Sequence, residues 1–199
     1  MDKIGICGAG LIGASWAIGF ANAGFKCFVY DNSEDSFTKF KDLANKLIQD
    51  LRIINPEIDE EKMNSNIKLN CTIEEICNDS ILVQESVLED LELKKSVFAQ
   101  LDKLTPENTI IASSSSYLLI SEIAELVKHK HRCINGHPAL PPHIVPFVEV
   151  SGNEKTSQKI IREAVSIYKK AKYAAITVNK EAEGFVLNRL QGALLNEAV

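Results

Sequence analysis

The sequence predicts an α/β fold built on a doubly wound, mostly parallel sheet, and three observations support this prediction. Short apolar segments alternate with segments of helical periodicity along almost the whole chain. A glycine-rich turn at residues 8–13 joins the first apolar segment to the first helical one. Polar residues follow several apolar segments, at the edge where ligands of such sheets bind. The 199 residues, 45% of them hydrophobic, suffice for one well-cored domain with an appendage.

Local patterns define the individual elements. Predicted strands occupy residues 4–7, 26–30, 67–71, 81–84, 109–112, 133–137, 147–150 and 174–178. Predicted helices occupy residues 11–23, 73–77 and 122–128, with others before Pro56, before Pro106, after Thr156 and after Gly184. Gly24 is a left-handed stop for the first helix, and Thr72 and Thr156 are predicted caps.

The segment between the second and third strands is longer than an ordinary crossover. It has helical apolar spacing up to residue 51, and residues 57–66 are polar and indicate a short second helix. Two interpretations stay open here: a helical hairpin that faces the substrate, or a solvated excursion.

The glycine-rich turn matches the G-x-G-x-x-G pattern, with a strand before it and a helix after it. Gly8 allows a tight turn, Gly10 lets the backbone approach a pyrophosphate, and Gly13 lets the helix lie close on the sheet. The helix start, which includes Leu11 and Ile12, presents free N–H groups to the same phosphates. These five residues predict the cofactor-binding turn of a Rossmann-type fold. The alternative is a glycine-rich turn of no special function.

Asp31 ends the second predicted strand, about 20 residues beyond the glycine turn, where a ribose-binding acid is expected. A carboxylate accepts a hydrogen bond from a ribose 2′-hydroxyl and repels a 2′-phosphate. The predicted cofactor is therefore NAD rather than NADP. On the alternative interpretation, Asp31 is only a capping residue.

Composition and charge exclude several other classes. The formal net charge of −5 and the lack of a basic stripe disfavour nucleic-acid binding. No apolar run is long enough to span a bilayer and no signal sequence is recognisable, so we expect a cytoplasmic protein without a membrane partner. The five cysteines lack metal-ligand spacing and are predicted to be buried, inert thiols, so no metal site is expected.

Hydride transfer to NAD also requires a base that removes the hydroxyl proton. His137 ends the sixth predicted strand, and an imidazole titrates near neutral pH. Glu149, on the next strand, is a candidate to hold one ring nitrogen and leave the other free. Ser116, the last of four consecutive serines, either donates to a substrate oxygen or only satisfies backbone groups at a strand end.

Other polar residues carry weaker signals. His129 and His131 lie in a polar run and are predicted to be surface residues. His143 lies in a proline-rich loop and has only a weak claim to function. Glu89 and Lys94, at a helix start, are interpreted from the sequence alone as an acid favoured by the helix dipole and a solvated lysine.

Five segments, taken in order, resemble the 3-hydroxyacyl-CoA dehydrogenase superfamily: residues 8–13, 85–95, 112–116, 136–150 and 184–190. Three of these motifs look most like the branch of lambda-crystallin and L-gulonate 3-dehydrogenase: residues 85–95, the His137–Pro138 pair with the proline loop, and the helix at residues 188–191. Residues 148–156 are also similar to carnitine dehydrogenases. The resemblance implies His137 as catalytic base, Glu149 as its partner, Ser116 and Asn188 near the substrate oxygen, Glu89 and Lys94 as cofactor contacts, and Asp31 as the ribose acid.

The sequence departs from the family at one position in the proline loop. Leu140 stands where the family has an asparagine that contacts nicotinamide or substrate. A leucine side chain can neither donate nor accept a hydrogen bond, so placement of the cofactor or turnover is expected to suffer.

The resemblance also implies a division of the chain. Residues 1–183 are the expected NAD-binding domain, and 184–199 the start of a truncated, all-helical C-terminal domain that closes the cleft and forms a homodimer. The expected reaction oxidises the 3-hydroxyl of a small hydroxy acid, L-gulonate-like, or of a 3-hydroxyacyl-CoA. One alternative is a catalytically weak NAD-binding or structural relative. Another is a dedicated CoA-thioester enzyme, for which basic residues of the insertion would have to form a groove.

Overall fold

The alternation of strands and helices produces one eight-stranded sheet in a computed structural model that describes residues 1–198. The strands are β1 (Lys3–Cys7), β2 (Lys26–Tyr30), β3 (Ile67–Lys68), β4 (Ser80–Glu85), β5 (Ile110–Ser113), β6 (Cys133–Pro138), β7 (Phe147–Gly152) and β8 (Ala174–Val178). Their order across the sheet is β3-β2-β1-β4-β5-β6-β7-β8. This confirms the predicted doubly wound α/β fold.

Helices cover both faces of the sheet and bury two separate apolar clusters. The helices are α1 (Leu11–Asn22), α2 (Glu34–Ile54), α3 (Glu60–Ser65), α4 (Ile73–Cys77), α5 (Leu91–Leu104), α6 (Ile120–Ile123), α7 (Gln158–Lys170) and α8 (Leu187–Glu197). Side chains of α1, α2, α3 and α7 pack on one face, and those of α4, α5 and α6 on the other. A short 3-10 turn, Lys130–Arg132, precedes β6.

The sheet has two features that place the candidate site. The chain runs outward from β1 through β2 to β3 and then returns to build β4 on the other side of β1, so the topological switch lies between β1 and β4. All pairs are parallel except β6 with β7, and in that antiparallel pair His137 lies directly opposite Glu149. Directly opposed residues point to the same face, so these two side chains meet.

Three local predictions were wrong. The third strand is only two residues long, since Asn70 adopts a positive φ of 57° and turns the chain. The helix predicted over 122–128 ends at Ile123; further along, the Asp102 carboxylate accepts the backbone N–H of Lys128 at 3.0 Å. The cap of α7 is Ser157, because the Thr156 hydroxyl donates instead to the backbone carbonyl of Cys133.

The insertion between β2 and β3 is a helical hairpin of α2 and α3, as one of the two interpretations proposed. One face of α2 is apolar and buries Phe40, Leu47 and Leu51 beside α1. The last helix, α8, begins at Leu187 rather than at Gly184, because Gly184 and Phe185 both adopt positive φ. Val199, at the end of the last predicted segment, lies outside the described residues. Within residues 1–198 no helix combines the length and apolarity needed to cross a membrane.

Candidate NAD-binding and catalytic site

The glycine turn after β1 is crowded at its two ends and open in the middle. A Cβ on Gly8, whose φ is +109°, would lie 2.6 Å from the Ser86 carbonyl oxygen, and one on Gly13 would lie 1.9 Å from that of Gly8. Apart from Gly10 and its own neighbours along the chain, no heavy atom of residues 1–198 lies within 4 Å of the position that a Cβ on Gly10 would take. The outer glycines are therefore required by the fold itself, whereas Gly10 leaves open space over the start of α1.

Asp31 lies at the end of β2 and is held against this turn by backbone hydrogen bonds. Its Oδ2 accepts the N–H of Ala9 at 2.8 Å, and its Oδ1 accepts the N–H of Ser33 at 3.0 Å. The carboxylate lines a cleft of about 510 Å³ together with Gly8 and Gly10. Each carboxylate oxygen retains a second lone pair, so a ribose hydroxyl can donate to the same group.

A buried ion pair lies beyond the end of β4, next to β1. The Lys94 ammonium is 2.7 Å from Glu85 Oε1 and 3.3 Å from Glu89 Oε2, and its side chain is 1% exposed. Glu85 also accepts the Ser113 hydroxyl at 2.7 Å. Burial raises the pKa of Glu85, while the Lys94 charge opposes that rise. Lys94 is therefore not the solvated residue that its local sequence indicated, and its position agrees with the resemblance instead.

Glu89 connects this ion pair to the serine segment after β5. Its Oε1 accepts the Ser115 hydroxyl and, at 3.2 Å, the backbone N–H of Ser116. The Ser116 carbonyl in turn accepts the side-chain amide of Asn188 at 3.0 Å. Within residues 1–198 the Ser116 hydroxyl has no hydrogen-bonding partner, and Ser116 lines two adjoining clefts.

The imidazole of His137 and the carboxylate of Glu149 form a buried pair at the end of β6. His137 Nδ1 lies 2.8 Å from Glu149 Oε2. Because a carboxylate only accepts, Nδ1 carries the proton, and in the neutral ring Nε2 is left with its lone pair. Nε2 has no hydrogen-bonding partner in residues 1–198, and His137 lines a cleft of about 950 Å³.

The second oxygen of Glu149 is occupied by the start of α8. Oε1 accepts the backbone N–H groups of Val186 at 3.0 Å and Leu187 at 3.1 Å. The ring of Phe185, just before them, stacks on His137 with centroids 5.0 Å apart and an interplanar angle of 27°. Phe185 is 1% exposed and has a φ of 48°. The first turn of α8 and the histidine are thus held by one carboxylate and one aromatic face.

Three clefts follow one another along the carboxyl edge of the sheet. The cleft of Asp31 shares Ser86 and Val87 with a smaller one of about 260 Å³, which contains Glu89 and Lys94. That smaller cleft shares Ser116, Pro138 and Leu140 with the cleft of His137. We call these three adjoining clefts the trough; most predicted site residues line it, whereas Leu11, Gly13 and Glu149 do not. Leu140, which is 62% exposed, forms an apolar wall where the smaller cleft meets the cleft of His137.

The trough has the features that a dinucleotide requires. The turn leaves open space at Gly10, the N-terminus of α1 has N–H groups that can bind phosphates, and the Asp31 carboxylate lines the same cleft. Ile12 lines the middle of the trough, and Leu11 is 53% exposed at the helix start. The cofactor end and the imidazole are therefore two parts of one surface.

Sequence reasoning missed or misjudged several residues near this site. The sequence analysis gives no role to Glu85, which the structure pairs with Lys94, nine residues later. The spacing of these opposite charges was the only local signal. Nothing local indicated the stacking of Phe185 on His137. His143 is buried, with Nδ1 3.4 Å from the Ser15 hydroxyl and Nε2 3.6 Å from Asp50. His129 is not simply a surface residue, since it contacts Asp102.

Known proteins are similar to this chain in sequence and in fold. The family described as the NAD-binding domain of 3-hydroxyacyl-CoA dehydrogenase matches residues 3–182. A lambda-crystallin homolog of Rattus norvegicus is 37% identical over 196 residues, which are 97% of this chain and 61% of the relative. An L-carnitine dehydrogenase of Nocardiopsis dassonvillei is 34% identical over 192 residues, 96% of this chain and 58% of the relative.

A solved structure agrees with these relatives. The (S)-3-hydroxybutyryl-CoA dehydrogenase of Ralstonia eutropha superposes with a TM-score of 0.89 at 28% identity, covering 100% of this chain and 70% of that one. This chain spans about three fifths of the length of the curated relatives named above. The match over residues 3–182 shows that the chain belongs to the family of NAD-binding domains of 3-hydroxyacyl-CoA dehydrogenases.

Proposed function

We propose that this chain is the cofactor-binding part of a dehydrogenase that oxidises the 3-hydroxyl of a hydroxy acid, L-gulonate-like, or of a 3-hydroxyacyl-CoA. The observation that carries the proposal is the His137–Glu149 pair. Nε2 of His137 has no hydrogen-bonding partner in residues 1–198, and His137 lines the trough that also contains the glycine turn. NAD, when bound, supplies the hydride acceptor for the carbon that bears the hydroxyl.

In this proposal His137 removes the hydroxyl proton through Nε2. Glu149 keeps the other proton on Nδ1 and stabilises the imidazolium that forms. The Ser116 hydroxyl, which lacks a protein partner within residues 1–198, donates to or accepts from the substrate oxygen. Asn188 braces this serine segment through the Ser116 carbonyl and lies beside the same cleft.

The cofactor end of the site is assigned in the same way. Gly8, Gly10, Leu11, Ile12 and Gly13 form the pyrophosphate site. The Gly8 N–H already donates to the Tyr30 carbonyl at 2.8 Å, so the donors are the backbone N–H groups from Gly10 onward. Asp31 accepts from the adenosine ribose, which favours NAD over NADP. Glu89 and Lys94 contact the cofactor further along the trough, where both line the middle cleft.

The domain division and the dimer remain part of the proposal. Leu190, Leu194 and Leu195 on α8 are 59%, 72% and 60% exposed, a large apolar surface for a single helix. We expect residues 184–199 to begin a helical domain that covers this surface, completes the substrate cleft and supports a homodimer. Sedimentation of a chimera that adds the C-terminal part of a lambda-crystallin homolog tests whether the protein forms a homodimer once the helical domain is present.

A direct assay tests the function. This chain and the same chimera are incubated with NAD and, in turn, L-gulonate, L-carnitine and 3-hydroxybutyryl-CoA, and NADH formation is followed. We expect turnover of at least one substrate by the chimera and NAD binding by both proteins. NAD binding by both without turnover of any substrate would contradict the proposed enzyme.

A second candidate, a catalytically weak NAD-binding relative, is favoured by Leu140. This exposed apolar side chain lies where the cofactor and substrate clefts meet and provides no hydrogen bond. The substitution Leu140→Asn in the chimera separates the two candidates. A dehydrogenase changes its rate by no more than a modest factor, whereas a weak relative gains activity that the parent lacks.

A further inference from the structure

A network of polar side chains extends from the protein interior to the trough, between the glycine turn and the His137–Glu149 pair. At its centre is the Ser114 hydroxyl, which lies 3.0 Å from Trp16 Nε1, 2.8 Å from Gln84 Nε2 and 2.8 Å from the Ser86 hydroxyl. None of these four side chains has been given a role in binding or catalysis above. Ser86 lies at the end of the network and lines both the Asp31 cleft and the smaller cleft beside it.

The orientation of the Gln84 amide follows from its other neighbours. One of its terminal atoms lies 3.4 Å from the Gly136 carbonyl oxygen, which only accepts, so that atom is the NH₂ group. The other is then the carbonyl oxygen, and it accepts from the Tyr168 hydroxyl at 2.5 Å. Burial raises the pKa of Tyr168, which keeps that phenol protonated and able to donate.

The proton of Ser114 has only one destination. Trp16 Nε1 and Gln84 Nε2 are donors, so they occupy the two lone pairs of the Ser114 oxygen. The Ser114 proton must therefore be donated to the Ser86 oxygen. Ser86 accepts that bond, and its own proton finds no acceptor within residues 1–198. The hydroxyl of Ser86 is half-buried and lines the trough, so its proton is directed to a ligand there.

We propose that Ser86 is a cofactor-binding residue: a hydroxyl polarised by the Trp16–Gln84–Ser114 network, which donates a hydrogen bond to an oxygen of the bound dinucleotide. Its place, where the Asp31 cleft meets the smaller one, corresponds to the section between the adenosine ribose and the nicotinamide. The acceptor is a pyrophosphate oxygen or a hydroxyl of the nicotinamide-side ribose. This inference rests on the NAD-binding role of the trough and extends it to a residue outside the glycine turn.

The experiment measures NAD affinity of Ser86→Ala by isothermal titration calorimetry. We expect the Kd for NAD to rise about 3- to 10-fold, the effect of one hydrogen bond. Ser86→Ala also removes the acceptor of the Ser114 proton, so the denaturant midpoint should fall modestly, and the Kd is measured where the variant is fully folded. Ser121→Ala is the matched control, since that hydroxyl is exposed, has no partner in residues 1–198 and lies on α6; its Kd should be unchanged.

Ser114→Ala provides an independent test. It leaves the Trp16 and Gln84 donors without an acceptor, so the denaturant midpoint should fall. It also frees the Ser86 hydroxyl to rotate, so the Kd for NAD should rise by less than in Ser86→Ala. A titration with ADP locates the acceptor: equal loss for ADP and NAD places it on the phosphates, and loss for NAD alone places it on the nicotinamide side.

The outcomes of this experiment separate two failures. A parent chain that does not bind NAD overturns the proposed function together with this inference. A parent that binds NAD, with a folded Ser86→Ala variant whose Kd is within about twofold of the parent's, overturns the role of Ser86 alone.

Discussion

Two histidines of this chain contact a carboxylate through Nδ1, one at each edge of the sheet. At the carboxyl edge, His137 lies 2.8 Å from Glu149. At the amino edge, where β6 begins, His129 lies 3.1 Å from Asp102. The two pairs look alike in geometry, so the difference between them lies in what else each carboxylate and each ring contacts.

Asp102 is part of a structural cluster that contains a buried cation. Arg132, which is buried, lies 2.6 Å from its Oδ1, and the N–H groups of Lys128 and His129 donate to its Oδ2. Burial alone would raise the pKa of Asp102, but the Arg132 hydrogen bond and the backbone donors outweigh it and the net shift is downward. The second ring nitrogen of His129 lies 3.7 Å from the exposed Glu107 and lines no cleft described above.

Glu149 has a different set of partners. No lysine or arginine of residues 1–198 is within ion-pair distance of it, and its remaining oxygen is held by two backbone N–H groups at the start of α8. The second nitrogen of His137 has no hydrogen-bonding partner in residues 1–198, and His137 lines a cleft. An imidazole–carboxylate pair therefore indicates a proton-transfer site only when the carboxylate is not neutralised by a cation and the distal nitrogen reaches a ligand.

The largest expected effect separates the two histidines directly. His137→Ala should lower kcat of the active chimera by about 10²- to 10⁴-fold, since the general base is lost, with a Kd for NAD within about twofold. His129→Ala is the matched control and should leave kcat unchanged. Steady-state kinetics and calorimetry measure both quantities. Equal losses of kcat and NAD affinity in His137→Ala would show that the residue is structural.

The next effect concerns the amino edge. Asp102→Asn leaves the buried Arg132 guanidinium without its counter-charge, so unfolding free energy should fall by about 3 kcal/mol. Urea denaturation followed by circular dichroism measures this, and Kd for NAD at a temperature where the variant is folded should match the parent. A variant as stable as the parent would show that Asp102 does not support this edge.

Glu149→Gln should reduce kcat by about 10- to 100-fold, because a neutral amide stabilises the imidazolium less and fixes the ring tautomer less firmly. NAD affinity should not change, since within residues 1–198 the Glu149 carboxylate hydrogen-bonds only to His137 and to the start of α8. The pH–rate profile provides a readout that a purely structural role would not alter. A variant with the parent's profile and rate would remove Glu149 from the mechanism.

The smallest effect is a pH dependence from a third histidine. Burial lowers the pKa of His143 below its ordinary value of 6.5, despite the opposing effect of Asp50. As the pH falls below about 6.5, His143 is therefore protonated in the unfolded chain before it is protonated in the folded one. The free energy of unfolding consequently falls with decreasing pH. The neutral variant His143→Asn should lose less stability than the parent between pH 7.5 and pH 5.5, a comparison of denaturant midpoints. Equal slopes for the two proteins would contradict this assignment.

Much of the fold could be predicted because its signals are local. The Thr72 cap, the Gly24 stop and the glycine turn depend on residues a few positions apart, and all three form as expected; the structure adds that Glu75 completes a capping box with Thr72. The cap of α7 was misassigned by one residue because the choice between Thr156 and Ser157 depends on the distant Cys133 carbonyl. The helix predicted over residues 122–128 likewise meets a distant partner, because the backbone N–H of Lys128 donates to Asp102, more than 20 residues away along the chain.

By itself, the sequence determined the strand and helix periodicities, the cofactor turn, and which polar residues end each strand. Only the tertiary structure decided that His137 and Glu149 face each other, that Phe185 stacks on that ring, and that His129 belongs to a structural cluster. The physical reason is range: hydrogen bonds along a turn or helix depend on neighbouring residues. The charge state and exposure of a side chain depend on strand register and on partners that the chain brings together from far apart.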